Sequence, residues 1–274
     1  MKVIRYDFVI EGRSGEFWFD IFADTHLGSL SVAETMLKRD IKRTADSGHY
    51  AVHLGDAIDG ITPGDCRYDP QNMTRWAREA ELDNRLIAAE WEYFEKLFSP
   101  IQDKLLFVLD GDGKHNVCEN VENCMQRTLT AMGVAGGFPT AHCLFSFKRK
   151  GSSSAIKRVE LIFQHMGATG RTDEAKSRYC KNVLAYYPTA TGFFCGHGHG
   201  KVSCRSECLA IEGSEQITWV RRAAQCGSYL MTYAQDTIGY GERKAFPPAA
   251  LGNVVVCLRP FSYDYDKRIE LFNM

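Results

Sequence analysis

No stretch of this chain is apolar for long enough to suggest a membrane span: none approaches the ~18 residues that a spanning helix needs. Neither sign of charge dominates, with 33 Lys and Arg against 34 Asp and Glu and a formal net charge of -1. That balance removes any electrostatic argument for nucleic acid as a partner, although it leaves local basic patches open. There is no repeat, low-complexity tract or composition shift that would mark a linker, which excludes collagenous, coiled-coil and disordered classes. The N-terminal MKVIRYDFVIEG carries Arg5 and Asp7 where a secretory signal would need an apolar core, so a cytoplasmic protein without a membrane partner is expected.

What is present is core material. Of 274 residues, 45% are hydrophobic and 12% aromatic, enough for one large core or two small ones. A single domain over residues 1–274 is expected, with a β-rich portion from about residue 201. The ten cysteines are scattered, and several, such as Cys143, Cys195 and Cys257, sit inside apolar runs as packed thiols would. A sharper alternative groups Cys204 and Cys208 with His197 and His199 as a zinc site, although that spacing is not a common zinc pattern.

Helix signals occur in four places. Ser31-Val-Ala-Glu34 reads as a capping box opening a helix that ends near Ser47-Gly48. A second helix is expected over about Thr74 to Phe98, with Trp76, Ala80, Ile87, Trp91, Phe94 and Phe98 on one face. A third runs from about Val117 to Met132 with Asn116 as N-cap, and a fourth from Asp173 to Tyr186, before Pro188. Between them lie strand-length runs: FWFDIFA, YAVHLG, KLLFVLD, VELIFQ and TGFFCG. HCLFSF and VELIFQ flank the insert from Lys148 to Arg158, which reads as a hairpin connection. Strands alternating with helices indicate an α/β fold with a buried sheet.

The informative feature is what ends each apolar run. The first ends in Asp24-Thr25-His26, the second in Asp56 with Asp59 three residues on, and the third in DGDGKHN, containing Asp112, Lys114, His115 and Asn116. The fourth ends in His165 and the fifth in His197-Gly198-His199. Each alone has a bland reading: a turn cap, a chance pair, a hydrogen-bonded core histidine. Together they place carboxylates and imidazoles at one strand-end edge, where open α/β sheets bind ligands. Such a set stays unsatisfied unless a cation holds it. Mixed Asp and His donors suit manganese, iron or zinc better than calcium or magnesium. On extended backbone, residues i and i+2 point the same way, so each Asp-x-His or His-x-His pair can reach one site or two neighbouring sites.

In this order, Asp24-Thr-His26, Gly55-Asp56-Ala-Ile-Asp59, Gly113-Lys114-His115, His165-Met-Gly167 and Gly196-His197-Gly-His199 resemble the motifs of the calcineurin-like metallophosphoesterases, over about Phe17 to Gly200. The resemblance implies a two-layer mixed β-sandwich flanked by helices (α/β/β/α) with a dinuclear site at the strand ends. One metal would be held by Asp24, His26, Asp56 and His199, and the second by Asp56, His165 and His197, with Asp56 bridging. His115 would meet the leaving-group oxygen and Asp59 would orient it. The two ions would be divalent, manganese favoured over iron, zinc or nickel. The implied activity is hydrolysis of phosphoesters, diesters favoured over monoesters, by in-line attack of a metal-bound hydroxide. The substrate would be a phosphoester, with nucleotides and nucleic acid among the candidates.

Lys114 departs from the family pattern, which has an asparagine ligand there. Three readings stay open: a weaker second site, an ammonium replacing that metal, or Asp112 or Asn116 reaching the site by a local shift. A degenerate metal- or phosphate-binding module without turnover is the rival from another class. Gly60 after Asp59 departs from the protein-phosphatase branch, which has arginine there. The tail GSYLMTYAQDTIGYGERKAFPPAALGN is loosely similar to phosphoesterases carried by phages and prophages. The second helix and ITPGDCRYDPQN are expected to wall the pocket.

Overall fold

Alternation of apolar and polar side chains begins at the fourth residue. Ile4, Tyr6, Phe8 and Ile10 turn inward while Arg5 and Asp7 face solvent, and the segment forms strand β1, Lys2–Ile10. The computed structural model describes residues 1–112, 123–152, 156–170, 172–235 and 237–274. Two mixed six-stranded sheets contain all the strands found among them. In the first, β1 runs parallel to β6 (Thr140–Arg149), which pairs antiparallel with β7 (Ile156–Gln164) across the expected hairpin. β8 (Gly192–Cys195) runs parallel to β7, and the antiparallel pair β9 (Val202–Glu212) and β10 (Glu215–Gln225) completes this sheet through β10. The second sheet has β2 (Phe17–Phe22), β3 (Tyr50–His53), β4 (Leu105–Val108) and β5 (Ala135–Gly136) in parallel, with β11 (Val254–Leu258) antiparallel to β2 and β12 (Ile269–Phe272) antiparallel to β11 at the edge.

Aromatic residues from both sheets meet in one core. Phe19 of β2 lies 6.1 Å from Phe145 and from Phe163, and the rings of Phe107 and Phe163 are 5.2 Å apart. Helices α1 (Glu34–Ser47), α3 (Leu86–Phe98) and α4 (Cys124–Met132) bury their apolar faces with the other side of the second sheet. Helix α5 (Asp173–Tyr186) packs Cys180 and Leu184 against Ile162 and Phe193 of the first. The chain is thus a mixed α/β fold with two mixed sheets flanked by helices. No described helix is long and apolar enough to cross a membrane.

Several expected boundaries differ. Ser31 does not cap α1: Ala33 stands at the N-cap without a side-chain bond. Tertiary partners take both capping-box residues. Ser31 Oγ donates to Asn72 Oδ1 at 3.0 Å, and Glu34 accepts from the Tyr93 hydroxyl at 2.6 Å. The single helix expected from Thr74 to Phe98 is two. Thr74 does cap α2 (Arg75–Leu82), but the chain then turns through Asn84, whose φ is +56°. Asparagine tolerates that left-handed conformation and ends helices there. Only Ile87, Trp91, Phe94 and Phe98 form the buried stripe, while Trp76 and Ala80 are half-buried. Of the third expected helix, the described part runs from Cys124, capped by Asn123, whose Oδ1 accepts from Gln126 N, and Val117 lies outside the described residues. The Asn116 cap lies outside the described residues. The fourth helix has the expected span and Thr172 caps it, accepting from Ala175 N at 3.3 Å. Thr172→Ala is expected to cost ~1 kcal/mol, read from the midpoint of urea unfolding, with activity unchanged.

Candidate metal centre

Strands β2, β3 and β4 of one sheet and β7 and β8 of the other bring their C-terminal ends together. Asp24 and His26 follow β2, Asp56 and Asp59 follow β3, His165 follows β7, and His197 and His199 follow β8. Two candidate ligand groups result: Asp24, His26 and His199, and Asp56, His165 and His197, each with donor atoms within 4.8 Å of one another. The groups adjoin. Asp56 Oδ2 is 3.2 Å from His165 Nε2 and 3.9 Å from His26 Nε2 of the first group. The histidine rings pair edge to face, His26 with His199 and His165 with His197.

The backbone that aims these side chains is not extended. Asp24, His26, Asp56, His197 and His199 all have φ between +43° and +64°. Aspartate and histidine are enriched among residues that adopt this region, and such strain gathers at functional sites. Asp24 and His26 do share one group, but His197 and His199 part into two.

Hydrogen bonds hold the strained turns. Asp24 N donates to Gly55 O and His26 N to Asp56 O, so the β2–β3 pairing continues into the site. The Asp24 carbonyl accepts from Tyr229 N and from Ser228 Oγ, both at 3.0 Å. His197 N donates to the Asp24 carboxylate, at 2.9 Å to Oδ2. Burial opposes ionisation of Asp24, but the neighbouring His199 and His165 hold its pKa below the usual carboxylate range.

Behind the turns, Gly55 N donates to His53 Nδ1, which leaves the proton on Nε2 to donate to Thr25 Oγ1 at 3.0 Å; Thr25 Oγ1 in turn donates to Ala57 O. Burial lowers the His53 pKa to about 3, so the ring is neutral and this one tautomer serves both motif turns. Glu90 of α3 plays a similar part on the other side, accepting from Gly60 N at 2.9 Å. Its burial and the charge of Asp59 push its pKa well up.

His165 shows most directly what the site fits. Its Nδ1 donates to Leu54 O at 2.8 Å, which turns Nε2 inward. That buried Nε2 makes no hydrogen bond and faces the Asp56 carboxylate. A backbone carbonyl on one nitrogen with the other aimed into the site is how proteins present imidazole to a metal. Burial lowers the His165 pKa, but the Asp56 carboxylate raises it to about 9, so a metal would displace a proton from this nitrogen. The donor set, two carboxylates and four imidazoles in adjoining groups, fits divalent transition metals.

Asp59 Oδ1 lies 3.5 Å from His26 Nδ1. Asp112 enters neither ligand group; its backbone N donates to Asp56 Oδ1 at 2.7 Å and fixes that carboxylate. Lys114, His115 and Asn116 lie outside the described residues. The zinc alternative fails: Cys204 packs with Cys180 and Cys195 in the core under α5, and Cys208 Sγ bonds Trp219 O. No cysteine joins either ligand group, and every described cysteine is a free thiol.

A cleft of about 400 Å³ opens over the groups. Ile61, Arg67 and Asn72 wall one side, as expected for ITPGDCRYDPQN. The second helix does not reach it, because its aromatic stripe is buried in the core. The segment from Leu230 to Pro248 forms another wall, with Tyr240 and Phe246 among its residues. His53, Glu90, Ser228 and Tyr229 escape a motif reading because they touch backbone rather than ligand.

No family model and no curated protein matches the chain. Among solved structures, one similar chain is a conserved uncharacterized protein, a predicted phosphoesterase, from Streptococcus pneumoniae TIGR4, at 10% identity and TM-score 0.36, covering 94% of this chain and 97% of that one. Another is GAP50, the anchor in the inner membrane complex of Plasmodium, at 11% identity and TM-score 0.39, covering 89% of this chain and 81% of that one.

Proposed function

We propose that the chain is a metal-dependent phosphoesterase of the calcineurin-like type, acting on phosphodiesters in preference to monoesters, in one domain with the α/β/β/α sandwich of that family. The observation that carries this reading is the pair of adjoining Asp/His groups with Asp56 between them. Asp24, His26, Asp56 and His199 would hold one dication, and Asp56, His165 and His197 the other. Bound there, two dications would supply an activated water at neutral pH and neutralise phosphoryl charge.

The chain's own residues do the rest. The Leu54 carbonyl fixes the His165 tautomer, and Asp112 N fixes the Asp56 carboxylate. His53 and Thr25 tie the Asp24 and Asp56 turns together before any ligand arrives, the preorganisation that electrostatic catalysis requires. In this reading His115 gives the departing oxygen its proton, and Asp59 orients it. Two complete triads support two ions over a single ion partnered by Lys114.

The test is a manganese-supplemented hydrolysis screen that sets p-nitrophenyl mono- and diesters beside cyclic nucleotides and single- and double-stranded DNA. Turnover of a diester is expected, abolished by chelation and restored by manganese. Metal-loaded protein that turns over none of these would favour the binding module.

A further inference from the structure

Lys176 lies in the row of α5 that also buries Cys180 and Leu184. It is only 7% exposed, and lysine is almost never so buried without a partner. Among the described residues, its amine has neither ion pair nor hydrogen bond. Lys176 lines the cleft with His199, Gly198 and Thr169. It stands over Gly200, where any Cβ would collide with Nζ. The turn that carries His197 and His199 therefore leaves a side chain out, and the lysine occupies that space.

Arg67, the other lysine or arginine lining the cleft among the described residues, is bound by both oxygens of Asp65. Lys176 is different: a cation set beside a candidate cation site. An ammonium there repels a dication unless an anion lies between them and interacts with both. Lysine suits that task as a compact point charge for a phosphate oxygen.

We propose that Lys176 binds a non-bridging oxygen of the substrate phosphate. This rests on reading the cleft as a phosphoester site. The metal ligands would hold the phosphate from one side, and the amine from the side of α5.

The test titrates inorganic phosphate into wild type, Lys176→Met and Lys176→Arg by calorimetry in manganese buffer, with metal content and Tm measured for each. Lys176→Met should weaken phosphate binding roughly 10- to 100-fold at unchanged metal content, and Lys176→Arg should recover most of it. Equal affinity in Lys176→Met, or no phosphate binding by wild type, overturns the assignment. If Lys176→Met does not fold, reductive methylation of wild type decides. Phosphate, but not chloride at equal ionic strength, should slow modification of Lys176 in a peptide map, and equal rates overturn the assignment. Lys176-dependent phosphate binding without turnover of any ester would sink the hydrolase reading and leave this one standing. Turnover with Lys176-independent binding would do the reverse.

Discussion

Asp56→Asn is expected to abolish turnover and to lower metal content at both ligand groups, while the protein stays folded. Asparagine keeps the shape and tolerates the φ of +48° at this position. Its amide oxygen can still accept from Asp112 N, which now donates to Asp56 Oδ1 at 2.7 Å. The second oxygen becomes an amide nitrogen. It would face His165 Nε2, now 3.2 Å from Oδ2, and donate toward the lone pair that His165 would offer a metal. The change therefore removes a charge from between two dications and occupies a neighbouring donor as well. Metal affinity should fall by at least ~100-fold, the upper range seen when only outer-shell partners are lost. Elemental analysis after gel filtration reads the loss, and a Tm in metal-free buffer near that of wild type shows that the fold is intact. Near-normal turnover with unchanged metal content would remove the dinuclear reading.

Gly55→Ala is expected to destabilise the protein by roughly 3 kcal/mol or more and to disrupt the site. Gly55 has φ of +101°, which an alanine adopts only under strain. A Cβ there would lie 2.5 Å from Asp110 O and 2.8 Å from His165 Nδ1. The first contact is with backbone at the end of β4 and cannot be relieved by a rotamer change. The second would push the ring that Leu54 O now holds. Gly55 N also donates to His53 Nδ1, so a shifted Gly55 would loosen the link to Thr25 and the Asp24 turn. Urea unfolding with and without manganese separates the effects. The variant should be less stable in both conditions and should gain less from the metal than wild type does. Wild-type stability would show that the turn relaxes more freely than its contacts imply.

The sequence carried the site more clearly than the fold's details. Asp24, His26, Asp56, His165, His197 and His199 could be picked out because ionisable side chains directly after apolar runs are costly unless something holds them. Their assembly needs only that the strands be parallel neighbours, and β2–β3–β4 and β7–β8 are. Their conformation was not legible. Five of them are left-handed, a state imposed by tertiary bonds such as Tyr229 N to Asp24 O, which spans the chain from one end to the other. Strand β1 carries a plain period-two pattern, but its charged residues draw attention only as evidence against a signal peptide. The Ser31 cap failed because Asn72 and Tyr93, distant in sequence, compete for the same side chains. Lys176 had a signal that could have been read: it sits four residues before Cys180 and eight before Leu184, on the apolar row of an amphipathic helix. The wall from Leu230 to Pro248 carries no periodic signal, since among the described residues it contains little regular structure beyond the single turn of α6, Tyr240–Arg243.

The central claim is that two groups of side chains hold two metal ions. The most direct measurement is anomalous diffraction at the manganese edge from crystals grown with manganese. Two peaks are expected, about 4 Å apart, one within reach of Asp24, His26 and His199, the other of His165 and His197, with Asp56 between them. No peak at these residues, or a single peak at saturating manganese, would contradict the account.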